Sequence, residues 1–459
     1  MRSLFASYTL LITSVSSEKT SLIGVPVLLT DPGNCGTLAA ARDLGRRGIH
    51  VITLSADHGV PTSRSRYVSR HIRGKNVSTP EQYLQLLVET GKSNPGMVLY
   101  PTSDDSAWLI STYHQTLQQY FRMYSPDSQS MQNVLDKRRL FDACNAVGIK
   151  APISHFAESI EEVAAIAQHA TFPLLLKQRT QIFSVTHTKG AIIKAADELV
   201  PAYKHFIASN QHAEAVRASM PFSSWPLMQE FHKDAHKGSY LVSGFVNRDH
   251  TQMVSQAALK VLQYPRTLGI ALCMETTPLD QELADRILAL CKITGHFGAF
   301  QIEFLVAGND KLLIDFNPRY YHYMSFDMTR GIPFPWLSHL GACGDEQSLA
   351  HAIEHARTHL DHGNYTFSYR LQLRELLWAQ RITGTMSGKD FRYWQNWYKQ
   401  HEHHMIDAVA DDDDPKPENA MLKAKIASWL HHPRAFLRKI ALENDRLGHT
   451  KTNPLGCAN

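Results

Sequence analysis

The stretch from Ala299 to Arg319, AFQIEFLVAGNDKLLIDFNPR, constrains the fold of this chain more than any other. Its apolar and polar residues alternate, which predicts two β-strands with one buried face. The connection Gly308-Asn309-Asp310 predicts a tight turn between the strands, and a three-residue loop places Glu303 opposite Asp315. The side chains predicted for the buried face are Phe300, Ile302, Phe304, Val306, Leu312, Ile314 and Phe316.

The polar face of this predicted hairpin suits a cation. Two carboxylates placed directly opposite each other repel, so Glu303 and Asp315 need a positive charge between or beside them. Together with Asn317 they offer only oxygen atoms, and Mg²⁺ takes one or two protein carboxylates with water and phosphate in its other positions. An edge hairpin with a solvated acidic face explains the same pattern equally well, and both interpretations stay open on the pattern alone.

Length and composition bound the class of protein. The 459 residues are enough for roughly two to four domains. A content of 43% hydrophobic and 20% charged residues is typical of a globular chain, and a formal charge of +4 does not support nucleic-acid binding. The six cysteines are scattered without a C-x-x-C pair, which argues against a zinc ribbon or a disulfide framework and favours a reducing, cytoplasmic location.

The first 24 residues loosely imitate a signal peptide, with an apolar-leaning run from residue 4 to residue 15. Polar residues interrupt this run and no clear cleavage site follows it, so we predict a flexible extension. The sequence contains no run of about 20 apolar residues, and we therefore expect no membrane-spanning helix.

The next segment predicts a parallel α/β layer of strand, glycine-containing turn, helix and strand. Its predicted strands are Val25–Thr30, Ile49–Leu54 and Met97–Tyr100, with a further helix over residues 81–90. The turn from Asp31 to Gly36 lacks the full dinucleotide fingerprint, so a tight turn that packs the helix on the strand is favoured. Residues 103–105 follow the third strand at the edge where such sheets bind ligands, although a helix N-cap explains them equally well.

Helices and strands continue along the chain. We predict helices at Val134–Val147, Glu161–His169, Asp197–Ala208 and Asp280–Ile293, and strands at Phe172–Lys177, Leu227–Phe231, Tyr240–Asn247 and Gln252–Lys260. Beyond residue 345 we predict helices over residues 349–360, 367–380 and 390–401, then an exposed linker at Asp411–Asp414 and a basic helix pair over residues 421–447. The cluster of His401, His403 and His404 lacks companion ligands at metal-site spacing, which favours a solvated helix end.

The order of these elements resembles the ATP-grasp superfamily, and in particular its carboxylate–amine ligases, over about residues 25–341. The most specific match is Ile302-Glu303-Phe304 followed by the run from Leu313 to Arg319, which is similar to the family's pair of metal-binding strands. The resemblance implies an α/β (α+β) fold. Its parts are a flexible extension at 1–24, a pre-ATP-grasp parallel α/β domain at 25–130, an ATP-grasp domain at 131–344 with subdomains near 150–231 and 232–344, and a helical C-terminal extension at 345–459.

The resemblance also implies roles for individual residues. The implied metal ligands are Glu303, Asp315 and Asn317. The implied nucleotide-binding residues are Lys137, Lys177, Gln229, Glu230, Phe231 and Asp234. The implied catalytic residues, beside the phosphates or the reacting carboxylate, are Arg319 and Lys260, with Arg266 as an alternative to Lys260. Two features depart from the family pattern: Asp315 stands where glutamate is usual, and the segment Gln178–Lys189 contains no glycine where the family has a glycine-rich loop over the phosphates.

The implied reaction joins a carboxylate to an amine at the expense of ATP. The carboxylate attacks the γ-phosphate to give an acyl phosphate and ADP, and the amine then displaces phosphate. The implied cofactors are ATP and Mg²⁺, with Mn²⁺ as an alternative to Mg²⁺. The implied partners are small-molecule carboxylate and amine substrates, and a homodimer is compatible with this class. The alternatives are a carboxylase that uses bicarbonate and a nucleotide-binding module without turnover. Tyr320 to Tyr323 fit either an acceptor pocket or the start of a core helix.

Overall fold

The computed structural model describes residues 22–56, 60–184, 190–232, 239–264, 270–431 and 433. Three β-sheets, with helices packed against them, organise this part of the chain. Within these ranges no helix is both long and apolar enough to cross a lipid bilayer.

The first sheet is parallel, as predicted, with the strand order β3-β2-β1-β4-β5. Its strands are β1 (Val27–Leu29), β2 (Val51–Ser55), β3 (Val68–Arg73), β4 (Met97–Leu99) and β5 (Phe121–Arg122). The short runs VLL and MVL of β1 and β4 are fully buried, because helices cover both faces of a parallel sheet. The helices of this layer are α1 (Cys35–Arg46), α2 (Pro80–Ser93), α3 (Asp104–Thr112) and α4 (His114–Leu117).

The turn before α1 has a packing role. A Cβ atom on Gly36 would lie 2.4 Å from the backbone oxygen of Tyr321, so only glycine allows the two backbones to approach this closely. This contact brings the first helix of the N-terminal layer against the chain that follows the hairpin.

The predicted helix over Val134–Val147 is two helices. They are α5 (Ser128–Leu135) and α6 (Lys137–Ala146), and Asp136 between them has an extended conformation. The Asp136 side chain accepts hydrogen bonds from the backbone N–H groups of Arg138 and Arg139, which caps α6. The cap places Lys137 in the first turn of the new helix.

The second sheet has four antiparallel strands in the order β6-β9-β7-β8. They are β6 (Ser154–His155), β7 (Leu174–Lys177), β8 (Gly190–Ile193) and β9 (Leu227–Glu230), and the helices beside them are α7 (Ile160–His169), α8 (Ala196–Ser209) and α9 (Glu214–Ser219). Leu174 and Leu176 are buried with Tyr203 and Phe206 of α8 in one apolar cluster. This cluster fixes β7 so that its last residue, Lys177, lies at the end of a rigid strand.

The third sheet has seven strands in the order β14-β13-β10-β11-β12-β15-β16. The five strands from the predicted antiparallel region are β10 (Ser239–Val246), β11 (Met253–Tyr264), β12 (Ile270–Thr277), β13 (Gly298–Ala307) and β14 (Asp310–Asn317). Between β12 and β13 lies α10 (Gln281–Thr294), which begins at an Asp280 cap and ends at Gly295 in the left-handed conformation.

The hairpin of β13 and β14 brings Glu303 opposite Asp315, by a route that differs from the prediction. Ala307 pairs with Asp310, so the turn holds two residues rather than three. An irregularity in β14 leaves Ile314 as an extra residue, and beyond it the expected pairing of Glu303 with Asp315 returns.

This extra residue changes which side chains reach the core. Leu313 is fully buried and belongs to the same apolar cluster as Phe316, whereas Ile314 is only half-buried. The prediction that Ile314 faces the core is therefore wrong, because a bulge reverses the alternation of a strand. Val306 was also expected to be buried, yet it is 39% exposed near the tip of the hairpin.

The region after the hairpin is mostly helical, as predicted, but it also adds two strands to the third sheet. Its elements are α11 (Met324–Thr329), α12 (Phe334–Ala342), α13 (Glu346–Thr358), β15 (Thr366–Ser368), α14 (Arg370–Ile382), α15 (Gly388–His401), β16 (Met405–Asp407) and α16 (Lys416–His431). The prediction of a helix at Phe367 is wrong, because Phe367 pairs with Met274 of β12 and is fully buried. The second half of the predicted basic helix pair lies outside the described residues.

The acidic run Asp411–Asp414 is not the exposed linker that its composition predicts. Asp414 is fully buried and accepts hydrogen bonds from Arg42 Nε at 3.0 Å and Ser65 Oγ at 2.6 Å. Its other carboxylate oxygen accepts from the backbone N–H of Arg66 at 2.9 Å. The run therefore fastens the C-terminal region to α1 and to the loop after β2.

Substituting Asp414 with alanine tests this contact. We expect Asp414→Ala to lower the free energy of unfolding by about 3–5 kcal/mol, because the buried Arg42 loses its nearest carboxylate and keeps only Asp411, at 3.8 Å. Thermal and urea unfolding measure the loss. Asp412→Ala, an exposed aspartate in the same run, is the matched control and should change stability by less than about 0.5 kcal/mol. Equal effects of the two substitutions would contradict the assignment.

Candidate functional site

The hairpin presents its two acids to two lysines. Lys137 Nζ lies 2.5 Å from Asp315 Oδ1, and Lys260 Nζ contacts Glu303 Oε1. The same Glu303 oxygen accepts a hydrogen bond from Ser239 Oγ at 2.8 Å. The facing carboxylates that the sequence predicts are thus each neutralised by a cation from another element.

The two lysines reach the hairpin from different directions. Lys137 lies in the first turn of α6, where the Asp136 cap holds it. Lys260 lies on β11 opposite Ser239 of β10, and only 4% of it is exposed. Because a buried ammonium group needs a partner, Glu303 and Lys260 depend on each other.

A third lysine, Lys177, lies close enough to Asp315 and Glu303 to interact with both carboxylates, but none of its described contacts is an ion pair. Lys177 ends β7, and burial lowers the pKa of its ammonium group to about 7, with repulsion from Lys137 as the second cause. The carboxylates of Asp315 and Glu303 raise the pKa of Lys177, but by less than burial and Lys137 lower it. Lys177 is therefore a cation site that a negatively charged ligand would stabilise.

A chain of hydrogen bonds links the end of the hairpin to the N-terminal layer. Asn317 Nδ2 donates to Gln301 Oε1 at 2.7 Å, and Arg319 Nη2 donates to Asn317 Oδ1 at 2.7 Å. Arg319 Nε then donates to Asp104 Oδ1 at 2.8 Å. Asp104 begins α3, so Arg319 joins the seven-stranded sheet to the carboxyl edge of the parallel sheet.

The structure shows the helix N-cap at residues 103–105, and their role as ligand contacts stays a prediction. Ser103 caps α3 by accepting the backbone N–H of Ser106 at 3.1 Å, while Asp104 faces Arg319. Ser103 Oγ also donates to Asp31 Oδ2 at 3.0 Å, and Thr102 Oγ1 donates to the same oxygen at 2.8 Å. Asp31 was not singled out from the sequence. Asp31 follows the buried strand β1, at the edge of a parallel sheet where ligands bind. This position in the sequence would have marked it as a candidate.

Asp105 contacts the start of the glycine-free segment. Its Oδ1 accepts the backbone N–H of Phe183 at 2.6 Å, and Phe183 has a positive φ of 42°. The Phe183 ring lies edge-on to Trp108 and Tyr83. The N-terminal layer thus holds the described part of this segment, whereas residues 185–189 lie outside the described residues.

The segment predicted to bind adenine, Gln229 to Phe231, lies at the end of β9. Gln229 is buried and its Nε2 donates to Ser154 Oγ at 3.0 Å. The backbone N–H groups of Glu230 and Phe231 donate to the carbonyl oxygens of Ile153 at 2.9 Å and Pro173 at 3.3 Å. The predicted residues Asp234 and Arg266 lie outside the described residues.

The oxygen set on the hairpin fits a single hard cation that draws further ligands from elsewhere. Glu303 and Asp315 face each other, with Asn317 two residues on. Within the described ranges, no three or more His, Cys, Asp and Glu side chains are arranged to hold a metal. Two carboxylates and an amide oxygen are an incomplete set for Mg²⁺, which completes its shell with water and phosphate.

The aromatic run after Arg319 belongs to the core. Tyr320, Tyr321 and Tyr323 are at most 5% exposed, and Tyr321 donates to the buried Asp327 at 2.8 Å. Of the two interpretations left open by the sequence, the start of a core helix is the one found, since Tyr323 precedes α11.

The sequence matches no family model and no curated protein. Its fold is similar to that of biotin carboxylase from Campylobacter jejuni, at 16% identity and a TM-score of 0.56, over 70% of this chain and 72% of the other. It is also similar to the biotin carboxylase domain of 2-oxoglutarate carboxylase from Hydrogenobacter thermophilus, at 15% identity and a TM-score of 0.55, over 69% of both chains. A third neighbour is L-amino acid ligase from Bacillus licheniformis, at 11% identity and a TM-score of 0.50, over 70% and 74%.

These neighbours share one architecture with the chain. It has the ATP-grasp fold, in which the parallel α/β layer precedes the four-stranded and seven-stranded sheets, and the predicted fold class is confirmed. β13 and β14 form the hairpin that the sequence predicted, and its role in metal binding stays a prediction.

The buried Asp105 carboxylate in the N-terminal layer should make the stability of the protein depend on pH, which can be tested. Burial raises its pKa to about 6, and the nearby Asp104 and Asp31 carboxylates add to the rise. The folded state then binds more protons than the unfolded state between about pH 4 and pH 6, so this group costs stability as the pH rises through that window. We expect Asp105→Asn to be more stable than the original chain at pH 8, by up to about 2–3 kcal/mol.

Urea denaturation at pH 4 and pH 8 measures this difference. The gain should shrink at pH 4, where the carboxyl group is protonated in the folded state and only about half ionised in the unfolded state. Asp412→Asn, which changes an exposed aspartate, should show no gain at either pH. An Asp105→Asn protein without extra stability at pH 8 would exclude the assigned desolvation cost.

Proposed function

We propose that this protein is an ATP-dependent ligase that activates a carboxylate as an acyl phosphate and joins it to an amine. The observation that carries the proposal is the convergence of Lys137, Lys177 and Lys260 on two facing carboxylates at the surface of the hairpin. Phosphoryl transfer depends mainly on charge neutralisation and positioning, and this cluster provides both from rigid strands and a capped helix.

The roles of the cations follow from their positions. Lys177, the lysine with a strongly lowered pKa, is proposed to bind the α- and β-phosphates, because the triphosphate restores the favoured charged form of its ammonium group. Lys137 and Lys260 now neutralise Asp315 and Glu303 and would turn to phosphate oxygens when a metal takes over the carboxylates. Gln229, Glu230 and Phe231 at the end of β9 are proposed to bind the adenine.

Glu303, Asp315 and Asn317 are proposed to hold Mg²⁺ together with the phosphates. When bound, the ion supplies charge neutralisation between phosphate oxygens. Asp315 is one methylene shorter than glutamate, and its pairing with Glu303 through the bulge at Ile314 keeps the two acids opposite each other.

Arg319 is proposed to hold the reacting carboxylate beside the γ-phosphate. Its guanidinium group is fixed by Asp104 and Asn317, which leaves a planar donor oriented between the parallel sheet and the hairpin. A carboxylate oxygen attacks the γ-phosphorus while the bond to the bridging oxygen of ADP breaks. The amine then attacks the acyl carbon, loses a proton and displaces phosphate, which forms the C–N bond.

The structural neighbours support the nucleotide part of this proposal. The C. jejuni structure is a complex with a β,γ-ATP compound, and the H. thermophilus structure contains MgADP and bicarbonate. The third neighbour is an amino-acid ligase, which is why the first substrate panel consists of amino acids.

The direct experiment is ADP release on incubation with ATP, Mg²⁺ and amino acids offered singly and in pairs. We expect ADP and phosphate to appear in equal amounts with an amide product identified by mass spectrometry. ADP release that depends on bicarbonate alone would favour a carboxylase. Tight ATP binding without ADP release under any of these conditions would favour a module without turnover.

Two substitutions test the assigned residues. We expect Lys177→Ala and Asn317→Ala to lower the turnover number at least about 100-fold, because each removes charge or ligand oxygen from the transferring phosphoryl group. Circular dichroism should show intact folds. Lys150→Ala is the control, since Lys150 is exposed and pairs with Asp310 at the hairpin tip, and near-normal activity is expected from it. Normal turnover in either site variant would refute its role.

The pKa of Lys177 predicts a pH dependence of ATP binding. Since this pKa is about 7 in the free protein, the lysine is mostly uncharged at pH 8 and takes up a proton when phosphate binds. Affinity should therefore fall as the pH rises from 7 to 8.5. Calorimetry at pH 8, in buffers of different ionisation enthalpy, should show net proton uptake that approaches one proton per ATP bound. Lys177→Met should abolish this uptake, and unchanged uptake in that variant would assign the proton to another group.

A further inference from the structure

Two lysines of the proposed phosphate site lie close enough to repel each other. Lys137 lies in the first turn of α6, and Lys177 is the last residue of β7. The positive charge of Lys137 is one of the causes that lower the pKa of Lys177, so the two ammonium groups interact. Because like charges repel, a contact between α6 and the chain after β7 is needed to keep both lysines at one site.

Arg179, two residues after Lys177, forms this contact. Its Nε donates to both carboxylate oxygens of Asp136, at 2.9 Å to Oδ1 and 3.0 Å to Oδ2. Its backbone carbonyl oxygen accepts the N–H of Lys137 at 3.3 Å. Asp136 is the N-cap of α6 and directly precedes Lys137. Arg179 thus holds the start of α6 with its side chain and with its backbone.

The pair of Arg179 and Asp136 is buried on all sides. Arg179 is 6% exposed and Asp136 is 4% exposed. The guanidinium carbon lies 5.6 Å from the ring centre of Phe156 and 5.8 Å from that of Phe222, and such aromatic neighbours suit a planar cation. Removal of one partner of a buried pair is strongly destabilising, whereas replacement of both is frequently neutral. This difference separates the stability of the fold from the placement of the lysines.

The far end of Lys137 is held by a different residue. Its Nζ lies 2.5 Å from Asp315 Oδ1, and the Asp315 side chain is 39% exposed. In the proposed function Asp315 turns to a metal ion, and Lys137 then loses this partner. The contacts of Arg179 and Asp136 with the start of α6 persist, because neither residue belongs to the proposed ligands of ATP or Mg²⁺.

Further contacts fix the chain on either side of Arg179. Gln178, which precedes it, donates from Nε2 to Asn210 Oδ1 at 3.0 Å, and both side chains are buried. The carbonyl oxygen of Ile182, which follows it, accepts from His212 Nδ1 at 2.7 Å. Arg179 therefore cannot shift along the glycine-free segment without breaking buried hydrogen bonds, and its contact with α6 has a fixed geometry.

We propose that Arg179 is a positioning residue that sets the spacing of Lys137 and Lys177 through Asp136. The use of these lysines for phosphate rests on the proposed function, whereas their spacing is a property of the folded chain without a ligand. Two cations already held at a fixed spacing meet a triphosphate without further ordering, which lowers the entropic cost of binding.

The deciding variant replaces both partners at once, as Asp136→Ser with Arg179→Met. Serine caps a helix about as well as aspartate, so the first turn of α6 keeps its cap. Methionine fills the space of the arginine stem without a charge. Because neither partner stays buried and unpaired, we expect a melting temperature within about 4 °C of that of the unmodified chain.

Arg138→Met is the matched control. Arg138 lies in the same turn of α6, and its ion pair with Glu158 joins side chains that are 42% and 40% exposed. Because removal of an exposed pair changes little, Lys137 and Lys177 should keep their spacing in this variant.

The first readout needs no nucleotide. Acetylation of Lys177 by acetic anhydride, followed by mass spectrometry over a range of pH in the ligand-free chain, measures the pKa of its amine. We expect a midpoint near pH 7 in the unmodified chain and in Arg138→Met. In the double variant the midpoint should rise by at least about 0.5 pH unit, because Lys137 is no longer held near Lys177. A loss of stability alone would not move this midpoint.

The second readout is calorimetric titration with ATP and Mg²⁺. The double variant should bind ATP at least about tenfold more weakly than the unmodified chain, because the spacing of the lysines has to form again during binding. Arg138→Met should bind ATP with unchanged affinity.

An unchanged Lys177 midpoint in a folded double variant would overturn the proposal, whatever the affinity for ATP. If the double variant fails to fold, Asp136→Asn replaces it, since asparagine keeps the cap and an acceptor for Arg179 but removes the charge. A raised midpoint in a chain that binds no ATP in any form would support the spacing role and refute the nucleotide site. Failure of this proposal and failure of the proposed function are therefore distinguishable.

Discussion

The repulsion between Glu303 and Asp315 is the constraint on which the rest of the site depends. The hairpin places both carboxylates on one face, and neither can stay there without a counter-charge. Lys260 comes from the neighbouring part of the same sheet, while Lys137 comes from a helix between the first two sheets. The arrangement therefore forms only when three separate segments of the chain have docked.

Charged contacts of the same kind join the other layers. Arg319 links the hairpin to Asp104 at the edge of the parallel sheet, and Asp105 beside it holds the backbone at Phe183. The buried pair of Arg42 and Asp414 fastens the C-terminal region to α1. Buried ion pairs add little net stability, yet breaking one is costly, so they fix which surfaces dock.

A polar row also crosses the third sheet from the hairpin. Asn317, Gln301, Ser243 and Gln256 are successive cross-strand partners on β14, β13, β10 and β11. Ser243 also hydrogen-bonds Asp327, the partner of Arg330. The row thus joins the hairpin to the buried pair of Asp327 and Arg330.

Local pattern was enough to predict much of the fold and part of the site. The alternation from Phe300 to Phe304 and the apolar runs of β1, β4 and β7 mark strands because burial on one or two faces leaves a short-range signal. The pattern placed Glu303 opposite Asp315, the family resemblance implied Lys137 and Lys177, and the structure brings these residues together. The strand at Phe367 was missed, because its burial depends on pairing with Met274, which is remote in sequence.

The sequence by itself determined the strands of the hairpin, the parallel layer before it and the residues whose charges had to be balanced. Only the tertiary structure decided which charges balance them. The sequence around Asp414 predicts a solvated acidic run. In the folded chain, Asp414 is buried against Arg42, which lies hundreds of residues away in the sequence. Likewise, the bulge at Ile314 exists only because β14 pairs with β13. Pairing between distant segments leaves no periodic trace in the sequence, and for that reason only the folded chain reveals it.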